Sequence, residues 1–295
     1  MDPNSSGKIE LFGITFSALP LTAAVDEVLS AIRGGERGHV CVANVDMFTR
    51  AVRMPRLRSA MRSARLVVAD GMPLIWLERR LGMKTAGRVY GPDFMSDLCR
   101  QAQVDRIPVF LYGGTDELLQ NLIRVLLQMC PDLNIVGSVA PPMLPPDPPV
   151  DPEIASVICK SGARLVFVGL GCPKQELWMY SHCDHLDALT IGVGQAFAQL
   201  AGTQPRAPAW MQHSGLEWCF RLAKEPGRLW KRYLIGNTFF VFLAASALLR
   251  SYSRRLRGVE GLSRQFGELR GGNGRVARGS AMISFPAATS VLCAR

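Results

Sequence analysis

No Gly-x-Gly-x-x-Gly follows the first strand-like run of this 295-residue chain, which removes the best sequence sign of a hydride-transferring dinucleotide enzyme. No Asp-x-Asp pair occurs either, so the chain offers no carboxylate clamp for a metal on a nucleotide diphosphate, and no Gly-x-Ser-x-Gly elbow marks a hydrolytic serine. The eight cysteines are scattered singly, without a Cys-x-x-Cys pair, which argues against a disulfide framework and fits a reducing, cytoplasmic setting. His182-Cys183-Asp184-His185 fits no standard zinc spacing, and His39 and His213 stand alone. Met1 to Gly7 is polar and no apolar core follows a basic start, so secretion is not expected.

Acidic charge is in deficit. Lys and Arg number 34 against 24 Asp and Glu, a net charge of +10, and the excess concentrates after residue 205. A basic C-terminal third suits phosphate partners: nucleic acid, anionic lipid or a diphosphate ligand. With 48% hydrophobic and 20% charged residues, the chain is long enough to fold around a sizeable core.

Short apolar runs alternate with segments of helical spacing. Lys8 to Phe16 reads as a strand or hairpin around Gly13, and Leu21 to Ile32 as a helix. Strand-like runs follow at Val40–Ala43, Leu66–Ala69, Ile107–Tyr112, Leu133–Val139 and Leu165–Val168, with helices between them at 45–53, 73–81, from Gly91, 118–129 and 154–160. The proline-rich run 141–149 reads as a stiff connector. Apolar rather than alternating strands, separated by helices, predict an α/β fold: a Rossmann-like, largely parallel sheet with helices on both faces.

In such a sheet ligands bind beyond the carboxyl ends of the strands. Asp70 ends the buried run Leu66–Ala69 and is followed by Gly71 and Pro73, so it is aimed at that crevice or caps the next helix. Asn44 ends Val40–Ala43 in the same way, and Lys84 and Arg88 lie on the glycine-broken loop 82–91. Asp93 stands in the first turn after Gly91-Pro92, where it complements the helix dipole and competes with Asp70 as a reactive carboxylate. Gly169 and Gly171, with Pro173, Lys174 and Gln175 opening a helix, form one glycine loop; Gly192, Gly194 and Gln195 form a second. Each is either a tight strand-to-helix turn or a place where backbone N–H groups approach a phosphate.

These elements, Asn44, Ala69-Asp70-Gly71, Arg88 with Gly91 and Asp93, Val168 to Glu176, Ile191 to Gly194 and Glu225 to Leu234, together resemble the WecG/TagA/CpsF glycosyltransferases, family 26, from about residue 9 to 240. The resemblance implies an inverting, metal-independent transferase, with no cofactor. It would move a sugar from a UDP-sugar to a polyprenyl-diphosphate-linked sugar at the inner face of the bacterial membrane. It implies Asp70 as general base, Arg88 as a substrate contact, and Asn44 and Gln175 as matching polar positions. Val42, where family members often carry threonine, and Gln195 and Ala198, in place of a glycine and an aspartate, depart from the pattern on the donor side. UDP-glucose, UDP-N-acetylmannosamine and UDP-N-acetylmannosaminuronic acid all remain compatible donors. The residues agree with this reading: a transfer without metal needs one base for the acceptor hydroxyl and cations for the leaving diphosphate.

From Ala207 to Leu249 aromatic and basic residues share helical segments, which suits a membrane interface or a solvated cap on the core. Uncharged Leu234 to Leu249 would span only ~24 Å as a helix, short of a ~30 Å hydrocarbon core, so an interfacial or re-entrant segment is expected. Arg221, Arg228 and Arg232 share a helix face if Pro226 and Gly227 leave the helix unbroken, and are then candidates for the acceptor diphosphate. The expected organisation is a transferase core over 1–205, a membrane-associating helical appendage over 206–250 and a basic, disordered tail over 251–295. A homo-oligomer is left open and no nucleic acid partner is expected. The rival reading is a non-catalytic basic protein that binds membrane or nucleic acid on a nucleotide-binding fold. Such binding would be salt-sensitive and would survive replacement of Asp70.

Overall fold

A computed structural model describes the backbone of residues 7–271, and the side chains through Ser253 apart from His213, Arg228, Lys231 and Arg232. The chain divides into two compact units, Met1–Leu248 and Leu249–Arg295, and the architecture below is that of the first. A hairpin of β1 (Lys8–Leu11) and β2 (Ile14–Ser17) precedes α1 (Leu21–Arg33). The main sheet contains β3 (Gly38–Ala43), β4 (Leu66–Ala69), β5 (Val109–Gly113), β6 (Ile135–Val139), β7 (Leu165–Gly169) and β8 (Leu189–Gly192). Its order is β4-β3-β8-β7-β5-β6, and every pairing is parallel.

Helices connect these strands: α2 (Val45–Arg53), α3 (Pro55–Ser63), α4 (Met72–Arg80), α5 (Gly91–Val104), α6 (Asp116–Met129), α7 (Pro152–Lys160) and α8 (Lys174–His182). Alternate residues of each strand point to opposite faces. Cys41, Ala43, Val67, Ala69, Val166 and Val168 join α2, α3, α4, α7 and α8 in one core. Val40, Val42, Val68, Leu111, Phe167 and Ile191 join α1, α5, α6 and the short α9 (Ala196–Leu200) in the other. Both faces are covered, which is why the strands read as apolar runs. The α/β sheet expected from the sequence is therefore present. Helix α3 was not foreseen; it opens on Pro55 and buries Leu57, Ala60 and Met61 at helical spacing.

After α9 come α10 (Ala209–His213), α11 (Glu217–Lys224) and α12 (Pro226–Gly271). The single helix that would have aligned Arg221 with Arg228 and Arg232 is not formed. Glu225 leaves the helical region at φ −135°, ψ 59°, and Pro226, which has no N–H to donate, opens a new helix. Gly236, Phe240 and Leu243 of α12 are buried, with Phe240 edge-on to Phe48 at 6.2 Å. Leu234, Ile235, Val241 and Phe242 are exposed. By length and composition the 21 residues Tyr233–Ser253, a longer window than the uncharged stretch Leu234–Leu249, suffice to cross a membrane, at ~31 Å as a helix. The buried face ties this stretch to the globular core.

Buried Glu78 works against the fold. Glu78 of α4 is 1% exposed, neither carboxylate oxygen has a hydrogen-bond partner among the described residues, and burial pushes its pKa up to about 7. The folded protein therefore holds this proton more tightly than the unfolded chain. The associated stability is present below the usual carboxylate pKa and is lost as pH rises through about 7. Glu78→Gln should raise stability at pH 8 by about 1–3 kcal/mol and make the decline between pH 5 and 8 shallower. Urea unfolding across that range measures it; an unchanged pH dependence would contradict the assignment.

Candidate functional site

The carboxyl edge of the sheet is assembled by register. Ala69 pairs with Ala43, and the Asp70 N–H donates to the Ala43 carbonyl at 2.8 Å, so Asn44 and Asp70 leave adjacent strands side by side. Their fates differ. Asn44 caps α2, accepting from the Met47 N–H at 3.0 Å. Helix α4 is capped by Gly71 with no side-chain bond, so Asp70 is not a cap and its carboxylate is available elsewhere.

The loop between α4 and α5 brings a cation to it. The Val89 N–H donates to the Ala69 carbonyl and the Arg79 Nε to the Ala86 carbonyl, which folds the loop back against the end of β4. Arg88 Nε then donates to the Asp70 carbonyl at 2.6 Å and to Asp70 Oδ1 at 3.0 Å, while Nη2 lies 3.0 Å from the same Oδ1. Nη2 also donates to Glu217 Oε2, and Glu217 Oε1 meets Arg221 Nε at 3.4 Å. The Arg88 guanidinium lies over the Tyr90 ring, 4.3 Å from its centroid. Asp70, Arg88, Glu217 and Arg221 thus form one line of alternating charge.

Burial dominates its electrostatics. Desolvation raises the pKa of Asp70 to about 6; Arg88 pulls it down, Glu217 pushes it up and Arg221 opposes that. Burial and the neighbouring carboxylates raise Tyr90 to about 12, which keeps it a neutral phenol. The side chains of Asp70, Arg88, Glu217 and Arg221 open into a cavity of about 410 Å³. Its floor is Asn44, Asp46, Asp70 and Arg88; its walls are Met72, Pro73 and Trp76 of α4, Glu217, Trp218 and Arg221 of α11, and Tyr233, Asn237, Phe240 and Val241 of α12. Gly215, at φ +70°, lets the turn before α11 lie on Trp76; a Cβ there would come within 2.7 Å of the ring.

Asn44, Asp70, Arg88 and Arg221 are thus brought together. Asp93 is at the start of α5, paired with Arg206 at 3.1 Å outside the cavity lining. The two glycine loops leave β7 and β8 on the same sheet edge and are joined by Gln175. This side chain is buried, accepts from the Gly171 N–H at 3.2 Å, donates to Glu176 Oε1 and lies against Gly192 and Gly194. Pro173 stands one position before the helix, as N-cap of α8, with Gly169 and Gly171 ahead of it. Lys174 Nζ donates to the Leu144 carbonyl at 2.8 Å, and Gln195 is the N-cap residue of α9. Val42 packs in the interior with Val40 and Val68 rather than on the cavity. The side chains of Arg228 and Arg232 lie outside the described residues.

Glu217 is the site residue that sequence reasoning missed. It occupies the first turn of α11, where an acid is expected merely to complement the dipole, and its partner Arg88 is 129 residues away. Its spacing of four from Arg221 was the available signal.

The chain matches the model of the "Glycosyl transferase WecG/TagA/CpsF family" over residues 9–254. It is 29% identical over 199 residues to the N-acetylglucosaminyldiphosphoundecaprenol N-acetyl-beta-D-mannosaminyltransferase of Bacillus spizizenii, covering 66% of this chain and 74% of that protein.

Arg88 holds two carboxylates, each less than a quarter exposed, and its removal leaves them facing one another. Arg88→Met should cost about 2–4 kcal/mol at pH 8. The cost should shrink as pH falls from 8 toward about 6, because without Arg88 the Asp70 carboxylate takes up its proton above its parental value. Unfolding of variant and parent at pH 5 and pH 8 tests this; an equal cost at both would show that the carboxylates are not in contention.

Proposed function

The chain belongs to the WecG/TagA/CpsF family of glycosyl transferases, and on that premise we propose that it moves a sugar from a UDP-sugar to a saccharide carried on polyprenyl diphosphate. The transfer inverts the anomeric centre, uses no metal ion and serves the assembly of a bacterial surface polysaccharide. The observation that carries this reading is Asp70: a basic carboxylate at the carboxyl edge of the sheet, opening into a cavity walled by both charged (Glu217, Arg221) and apolar (Trp76, Phe240, Val241) side chains.

Asp70 takes the proton of the acceptor hydroxyl as that oxygen attacks the anomeric carbon; the bond from carbon to the UDP oxygen breaks on the opposite side, and UDP leaves with the electron pair. A carboxylate with a pKa near 6 is charged at neutral pH yet more basic than an exposed one. The charge on the leaving diphosphate is met by cations and backbone N–H groups, in keeping with the lack of an Asp-x-Asp pair. We assign the donor to Asn44, Arg88 and Asp93 with the two loops, Gly169, Gly171, Lys174 and Gln175, and Gly192, Gly194 and Gln195. We assign the acceptor diphosphate to Arg221, the one of the three candidate arginines whose described side chain lines the cavity.

The name of the Bacillus spizizenii relative supports N-acetylglucosaminyl-diphosphoundecaprenol as the first acceptor to try, with UDP-N-acetylmannosamine, UDP-N-acetylmannosaminuronic acid and UDP-glucose as donors. A lipid-linked acceptor calls for contact with the inner membrane surface. Exposed Trp210, Trp218, Trp230, Leu234, Ile235 and Phe242, among the basic residues of the same helices, support peripheral binding there by the 206–250 appendage.

Acceptor-dependent UDP release in EDTA tests the proposal. It should persist without divalent metal, fall by about 10²–10⁴-fold in Asp70→Asn, and in the parent kcat/KM should drop tenfold per unit as pH falls below about 6. Turnover that is indifferent to Asp70→Asn would remove the base assignment, and an absence of turnover with every donor would favour a non-catalytic binding protein.

A further inference from the structure

Arg88 is placed to grip Asp70 with a two-pronged fork, Nε on one carboxylate oxygen and Nη2 on the other, as arginine commonly does. It does not. Nε and Nη2 both converge on Oδ1, and Nη2 is shared with Glu217 Oε2. Asp70 Oδ2 accepts no hydrogen bond among the described residues, although the side chain is only 22% exposed. The carboxylate that shares Nη2 with Asp70 comes from α11, a different part of the chain from the sheet edge that carries Asp70 and Arg88. Arg221 holds the other oxygen of Glu217 at 3.4 Å, so Glu217 is itself steered.

We propose that Glu217 is a positioning residue for the general base: by sharing Nη2 of Arg88 it keeps the guanidinium on Oδ1 alone rather than forked across both oxygens, and leaves Oδ2 free and basic toward the acceptor hydroxyl. This rests on the reading of Asp70 as the base. An arginine shared between two carboxylates stabilises the charge on each less than it would stabilise one alone, and the second carboxylate adds repulsion. Both effects favour proton uptake by Asp70. Because Glu217 is carried by the helices that cover the cavity, the base acquires this character only where α11 is seated over it. The charged and titratable groups around Asp70 are Arg88 and Tyr90 from the loop after α4, Asp46 of α2, Glu217 and Arg221 of α11 and Tyr233 of α12. The side chains of Arg228, Lys231 and Arg232 lie outside the described residues.

The test is the pH profile of kcat/KM for acceptor-dependent UDP release by the full chain. Glu217→Gln keeps an oxygen that can accept from Arg88 but removes the charge, so its acid limb should move to lower pH by roughly half to one unit. Glu217→Asp, which keeps the charge, should hold the limb where the parent has it even if KM rises. If the amide variant does not fold, Glu217→Met serves the same arm. A limb that stays at the parental pH while activity falls uniformly would overturn the proposal and reduce Glu217 to a tie between α11 and the core. If instead the parent lacks a limb near pH 6, or Asp70→Asn turns over normally, the general-base reading fails first and the role of Glu217 fails with it.

Discussion

The active edge of this protein depends on one guanidinium held between two carboxylates. Arg88 is fixed by the Asp70 carbonyl and Oδ1 on one side and by Glu217 on the other, with the Tyr90 ring beneath it. Each partner is expensive to bury alone, and each contact lowers that cost while constraining a separate element. Asp70 fixes the arginine to the end of β4, and Glu217 brings α11 down over it. The Arg88–Glu217 contact joins α11 to the sheet edge, Phe240 and Leu243 of α12 pack into the apolar core, and the cavity lies between them.

The parallel sheet is what makes such an arrangement available. β3 and β4 run side by side in register, so their last residues project together, and the loops from β7 and β8 emerge on the same edge. Gln175 ties those two loops to each other from within, occupying the Gly171 N–H and lying against Gly192 and Gly194. The sheet edge therefore has two parts, a cavity under the helices and a glycine-lined pair of turns beside it.

Much of this could be read from sequence because it is local. Apolar runs ended by Asn44, Asp70, Gly169 and Gly192 marked the strands and their carboxyl ends, since burial on both faces leaves no other pattern. Whether Asp70 was a cap or a free carboxylate could not be read, because that depends on Gly71 serving as N-cap and on where Arg88 arrives after an 18-residue excursion. Glu217 was harder still: its role is made by a contact across 129 residues, while locally it looks like an ordinary first-turn acid. The break at Glu225–Pro226 was flagged by Pro226 and Gly227, yet only the backbone at Glu225 decides that the arginine row is divided.

Asp70 is a carboxylate that burial keeps more basic than an exposed one, as the proposed proton transfer from the acceptor hydroxyl requires. The most direct measurement is the NMR titration of the Asp70 carboxyl carbon in protein labelled at aspartate, with Asp70→Asn supplying the assignment. A midpoint near 6, matching the acid limb of the rate profile, is expected if Asp70 is the base. Titration in the ordinary range of an exposed aspartate, near 4, would contradict it.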